Sequence, residues 1–235
     1  MEKYAIESSM AKVYCSELNG KVIDSGLQMM GGYGFIEEYT MARQYRDCRI
    51  DRIWEGTNEI NRQIITGYMM KKALMEELPI QGAIREIEQY MKNGELEAES
   101  EILLAESNVV ETSKRLALYL LNEGICEFGQ DLKHQQQIAD ILANIFMDIY
   151  VAESTVLRAK KMLGNPTSHP SVEGVAKIFV AEMAQQMVQL AETALKGIYN
   201  GDLSPLMHEN LNAFRSRLYL PTNTIGLKRE IAAYA

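Results

Sequence analysis

Two short segments hold residues whose types and spacing could do chemistry: Gln28-Met29-Met30-Gly31-Gly32-Tyr33-Gly34 and Arg52-Ile53-Trp54-Glu55-Gly56-Thr57-Asn58-Glu59-Ile60. A glycine pair after a helix lets a ligand come close to the backbone and offers amide N–H groups to phosphate oxygens. Taken alone, it reads equally well as a helix stop followed by a turn. In the second segment Glu55 and Gly56 precede a helix, so N–H groups of the first turn at Thr57 to Glu59 are open to an acceptor. A glutamate there is also explained by favourable charge at the positive end of the helix dipole.

The elements that position these segments are helical. Runs of Ala, Leu, Met, Glu and Gln, few prolines, and apolar residues three and four apart predict an all-α chain with no strand. A first helix is expected from about Tyr4 to Met30, stopped by Gly31-Gly32, with others at about Met41 to Asp47 and Thr57 to Met75. Pro79 and Gly82 break the pattern and Gly94 interrupts it again, which places a domain boundary between residues 79 and 80. Four further helices are expected, at roughly 97–128, 132–163, 171–199 and 205–217. Their short connections imply antiparallel neighbours and a helical bundle. The stretch Ala11 to Leu18 lines up with Ala176 to Met183. That echo is either a chance likeness of amphipathic helices or a degenerate repeat of a bundle element. A repeat would place Val13, Leu18 and Val22 inside one bundle, and Ile178, Met183, Met187 and Leu190 inside the other.

The chain has 235 residues, 47% of them hydrophobic and 24% charged, enough for a substantial core. A net charge of -8 and a pI near 5.1 argue against a nucleic-acid partner, which would need clustered Lys and Arg. The acidic balance, the lack of an apolar run of membrane-spanning length and the absence of an export signal after Met1 point to a cytoplasmic protein. Cys15, Cys48 and Cys126 are widely spaced and read as reduced, buried thiols. His134, His169 and His208 have no metal-ligand spacing, so no metal is expected. The fourteen methionines read as core fillers, and the acidic run Glu95 to Glu101 as the first turn of a long helix.

The two segments, in this order and with Arg43, Arg46 and Asp47 between them, resemble the acyl-CoA dehydrogenase family. Its pattern runs from Gln-x-x-Gly-Gly-x-Gly through an Arg-Asp pair to an aromatic-Glu-Gly-Thr opening the next helix. The resemblance is strong over residues 2 to about 75. The remainder looks like the helical extension of very-long-chain members, including Thr222-Asn223-Thr224-Ile225-Gly226.

The resemblance implies residues 1–79 as the carboxy-terminal part of the catalytic helical domain and 80–235 as the extension. Glu55 would be the base that takes the α proton of a fatty acyl-CoA while the β hydrogen leaves as hydride to FAD. That proton is weakly acidic, so the carboxylate's base strength must be raised by an apolar pocket. Gln28, Gly31 and Gly32 would contact the adenosine diphosphate end of an FAD held mainly by a partner subunit, and Thr57 and Glu59 the FAD of their own site. Gly56 would touch substrate. An electron-transfer flavoprotein is the implied electron acceptor, and a homodimer the implied assembly.

Trp54 stands where the family most often has Tyr or Phe, which puts inherited chain-length preference in doubt. The family's amino-terminal helical domain and β domain lie outside these 235 residues, so the chain alone is expected to be inactive. The competing reading is a non-catalytic helical module for dimerisation or membrane docking. The mixed, acidic extension lacks the Lys- and Arg-rich amphipathic helix that docking would want.

Overall fold

The computed structural model describes residues 4–78, 80–93 and 102–234. Every regular element among them is helical, as expected: α1 (Ala5–Met30), α2 (Gly32–Phe35), α3 (Thr40–Arg49), α4 (Asn58–Leu74), α5 (Ile80–Asn93), α6 (Leu104–Phe128), α7 (Gln136–Leu163), α8 (Ser171–Ile198), α9 (Pro205–Leu218) and α10 (Thr224–Ala232). Packing divides the chain into two compact units, Met1–Lys71 and Lys72–Ala235, the division falling in the last turns of α4. The breakers at Pro79 and Gly82 mark a junction between helices; the change of packing partners comes earlier.

In the first unit, α1 buries Ile6, Ser9, Met10, Val13, Ser16 and Gly20, one face at three- and four-residue spacing. Gly31, at φ 56°, ends the helix, and its N–H bonds back to the Gln28 carbonyl at 3.1 Å. Leu18 and Val22 were expected inside this unit, but Val22 is 60% exposed and Leu18 is exposed as well. At about 100° per residue, Val22 lies about 180° round the helix from the fully buried Val13. The apolar spacing spreads over more of α1 than this unit covers.

In the second unit α6, α7 and α8 pack on one another, with α5 and α9 against α6 and α10 against α8. The core between the long helices holds Leu116, Leu120, Leu142, Ile145, Val180, Met187 and Leu195, all fully buried. Alanines of α8 (Ala176, Ala184, Ala191 and Ala194) let its backbone come close to its neighbours. Phe214 of α9 reaches Tyr119 of α6, ring centroids 5.9 Å apart. Ser204 caps α9, accepting from the Met207 N–H, and Pro205 occupies its first turn.

Several expectations are corrected. Gln136, where α7 begins, follows a 3-10 turn over Gly129–His134, so the helix does not start at 132. Helices α5 and α10 were not anticipated. The expected start of a helix at 97 and the acidic run Glu95 to Glu101 fall outside the described residues; α6 begins at Leu104. Only Cys48 is a buried thiol, since Cys15 and Cys126 are exposed. Methionines divide between core, as at Met10 and Met187, and surface, where Met29 is 83% exposed. Met183 and Met187 are buried but Ile178 and Leu190 only half so. Across the aligned stretch, Ser16 and Ala181 are the one pair buried in both helices. The echo is therefore a likeness of composition and not of packing.

Candidate active site

The turn before α4 is built from local bonds and then tied to α1. After α3 a short 3-10 segment (Ile50–Arg52) leads the chain round, and the Ile50 carbonyl accepts from the N–H groups of Ile53 at 2.8 Å and Trp54 at 3.1 Å. Glu55 and Gly56 follow with φ of 54° and 80°. A left-handed conformation at a non-glycine residue costs roughly 1–2 kcal/mol, so the surroundings must hold Glu55 there.

Those surroundings are polar and specific. The Gly56 carbonyl accepts from Lys12 Nζ at 2.8 Å and from Asn61 Nδ2 at 2.8 Å. Lys12 also donates to Asn58 Oδ1 at 2.7 Å. Asn58 is buried and exchanges hydrogen bonds with Ser16 of α1, while its Nδ2 donates to Glu17 at 3.2 Å. Glu17 pairs in turn with Arg62 at 2.8 Å. The beginning of α4 is thus pinned to the middle of α1, the bonds between Asn58 and Ser16 being buried and the others part-buried or exposed.

Thr57 closes the first turn of α4, its Oγ1 accepting from the Ile60 N–H at 3.3 Å. The Glu59 carboxylate is held below the usual carboxylate range, first by its own backbone N–H, then by the Thr57 hydroxyl, with smaller help from Arg62 and Arg49. Glu55 is exposed, so its side chain is free while its backbone is fixed.

The residues singled out from sequence form two groups. Glu55, Gly56, Thr57 and Glu59 share the turn and first turn of α4. Gln28, Gly31 and Gly32 lie at the far end of α1, all exposed, and a Cβ on either glycine would meet nothing within 4 Å. From Lys12, which touches the Glu55 turn, to Gln28 is about 24 Å along the helix axis at 1.5 Å per residue. The structure does not bring the two groups together. An open groove of about 1000 Å³ is bordered by Asp24, Leu27, Phe35 and Glu37 and by Arg43, Arg46 and Arg49 of α3.

Lys12, Ser16, Glu17, Asn58 and Arg62 were missed by sequence reasoning. The available signal was polar Ser9 and Ser16 recurring on the otherwise apolar face of α1, at spacings where a core would want methyl groups. Among the described residues no cluster of His, Cys, Asp or Glu is arranged to hold a metal, and no helix is long and apolar enough to cross a membrane.

The helical fold and the glycine-rich turns are similar to those of acyl-CoA dehydrogenase C-terminal domains. Residues 1–70 match a family model described as acyl-CoA dehydrogenase, C-terminal domain, and residues 112–212 match a second model of the same description. Similar over nearly the whole chain is a probable acyl-CoA dehydrogenase of Bacillus subtilis, 37% identical over 235 residues, which are 98% of this chain and 39% of that protein. A caffeyl-CoA reductase-Etf complex subunit of Acetobacterium woodii is 46% identical over 66 residues, 28% of this chain and 17% of its own. The crystal structure of an acyl-CoA dehydrogenase complexed with FAD from Bacillus anthracis superposes with a TM-score of 0.88 at 31% identity, covering 97% of this chain and 39% of that one. The chain thus spans about two fifths of the length of the relatives it matches throughout.

Proposed function

We propose that this chain is the carboxy-terminal part of a cytoplasmic, FAD-dependent acyl-CoA dehydrogenase that converts fatty acyl-CoA thioesters to trans-2-enoyl-CoA in β-oxidation. The observation that carries the reading is the Glu55-Gly56 turn. It presents an accessible carboxylate on a backbone locked by Lys12 and Asn61 at the start of α4. Glu55 takes the α proton of the thioester, and the Gly56 backbone lines the substrate's path. Bound FAD supplies the two-electron acceptor for the β hydrogen, which leaves with its bonding pair as the carbon–carbon double bond forms.

Thr57 and Glu59 contact the FAD of the same site, and Gln28, Gly31 and Gly32 the adenosine diphosphate end of another. The separation of about 24 Å along α1 supports two flavins served by one chain, and hence a homodimer with shared sites. Exposed Val22, Met29, Tyr33 and Phe35 supply apolar surface for such an assembly. The second helical unit supports a very-long-chain subtype, and the Etf complex in a relative's name supports an electron-transfer flavoprotein as acceptor. By itself the chain is inactive, because neither group of site residues encloses a flavin ring.

The test is product formation. The full-length enzyme that carries this chain, loaded with FAD and given a long-chain acyl-CoA and an electron acceptor, should release trans-2-enoyl-CoA. Acyl-CoA consumed without enoyl product, or not bound at all, would contradict the reading.

A further inference from the structure

Lys12 is the one lysine whose ammonium reaches the turn that carries Glu55, and its hydrogen bonds go to neutral oxygens. Nζ donates to the Gly56 carbonyl at 2.8 Å and to Asn58 Oδ1 at 2.7 Å. Among the described residues no carboxylate lies within ion-pair distance of it. A lysine serving only to cross-link α1 with α4 would be redundant, since Asn58 is already held by Ser16 and Glu17, and Glu17 by Arg62. What Lys12 adds is a charge-assisted bond from α1 to the backbone of the turn itself.

That bond has a geometric consequence. The peptide between Gly56 and Thr57 is planar and trans, no cis bond being present. With the Gly56 oxygen drawn towards α1, the Thr57 N–H must point to the opposite side. Turning this peptide changes ψ of Gly56 and φ of Thr57, so the Lys12 anchor bears on the left-handed turn at Glu55 (φ 54°) and Gly56 (φ 80°) that carries the glutamate. Asn61, the other donor to the same carbonyl, belongs to α4 and moves with it; of the two donors, Lys12 is the one on α1.

We infer that Lys12 is a positioning residue for the Glu55 base, its ammonium fixing the Gly56–Thr57 peptide against α1 and thereby the direction of the Glu55 carboxylate. The inference rests on the function proposed above. It concerns orientation, since Lys12 touches only the Gly56 carbonyl and the Asn58 side chain.

The experiment compares Lys12→Met, Lys12→Arg and Glu55→Gln in the full-length, FAD-loaded enzyme that carries this chain, with a long-chain acyl-CoA. Methionine keeps the length and the packing but donates nothing, whereas arginine can still donate to both oxygens. A displacement of about 1 Å at a catalytic group costs on the order of a hundredfold. Lys12→Met should therefore lower kcat roughly ten- to a hundredfold with KM within about twofold, Lys12→Arg should recover most of it, and amide exchange at Gly56 and Thr57 should quicken in the methionine variant only. If Glu55→Gln is inactive while Lys12→Met turns over at the parental rate, the positioning role is overturned and the assigned base stands. If Lys12→Met raises KM as much as it lowers kcat, or sheds flavin, the lysine is merely structural and the inference falls. If Glu55→Gln itself turns over normally, the base is elsewhere and the role of Lys12 falls with it.

Discussion

Gly20 of α1 lies directly beneath the guanidinium of Arg52: a Cβ at position 20 would stand 1.8 Å from Nη2 and 2.9 Å from Cζ. The side chain three residues before Glu55 is thus seated on a helix position that only glycine leaves open. Arg52 Nε is buried there without a hydrogen-bond partner, so the seat is steric. Gly20→Ala should push the guanidinium aside. The far end of an arginine can swing out, and alanine gains about 1 kcal/mol of helix propensity, so overall stability should change by less than about 1.5 kcal/mol. The turn should nevertheless loosen. Trp54, the single tryptophan, reports on it directly, and an unchanged emission spectrum would show that Arg52 does not brace the turn.

Asn58 joins three side chains, Lys12, Ser16 and Glu17, and none of its amide bonds can be replaced by a hydrocarbon. Asn58→Leu takes one partner each from Ser16, which keeps the Val13 carbonyl, from Lys12, which keeps the Gly56 carbonyl, and from Glu17, and loses a buried polar network at about 1 kcal/mol for each bond. Urea unfolding of the first unit, followed by amide exchange along α1 and α4, should show a loss of at least about 2 kcal/mol. A loss under about 0.5 kcal/mol would mean that water replaces the asparagine freely.

Helix type and most helix ends are legible in the sequence, because glycine at Gly31 and Gly129 and the Ser204-Pro205 pair are local signals. Helix α5 is not, since Pro79 and Gly82 read as breakers, yet Gly82 lies in its first turn, where the cost is small. The reverse error occurs at Leu18 and Val22, whose spacing is right for a helix but whose face has no partner in this unit. The two glycine segments and Glu55 stand out by residue type alone. Their support does not, because Lys12 to Gly56 spans 44 positions and only folding brings them within 2.8 Å.

The second unit should fail first at alkaline pH. Burial is the main cause that pushes Tyr119 up from 10.0 to about 12, with Glu123 adding to it and an Asn210 hydrogen bond opposing. Tyr199 is raised in the same way, by burial and then by its 2.7 Å bond to Glu123. In the unfolded chain these phenols ionise near their ordinary value, so above it the unfolded state has lost protons that the folded state still holds. Stability is therefore constant below about pH 10 and falls as pH rises from there through about 12. Tyr119→Phe should remove a loss on the order of 2 kcal/mol over that range. Tyrosinate absorbance rising at ordinary pH without unfolding would contradict this.

The chain of 235 residues should bind FAD weakly or not at all. The residues proposed to meet flavin fall in two groups about 24 Å apart along α1, so neither encloses a ring system. Purified chain carrying yellow flavin absorbance at one equivalent would show that these contacts suffice.

The central claim is that the Glu55 carboxylate removes the α proton. The full-length, FAD-loaded enzyme that carries this chain and its Glu55→Gln variant, each incubated in deuterium oxide with an acyl-CoA, report this step alone through deuterium incorporated at C2. General-base catalysis contributes about 10²–10⁴-fold. The variant should therefore keep acyl-CoA binding and lose C2 exchange by at least about a hundredfold. Exchange in Glu55→Gln at the parental rate would place the base on another residue.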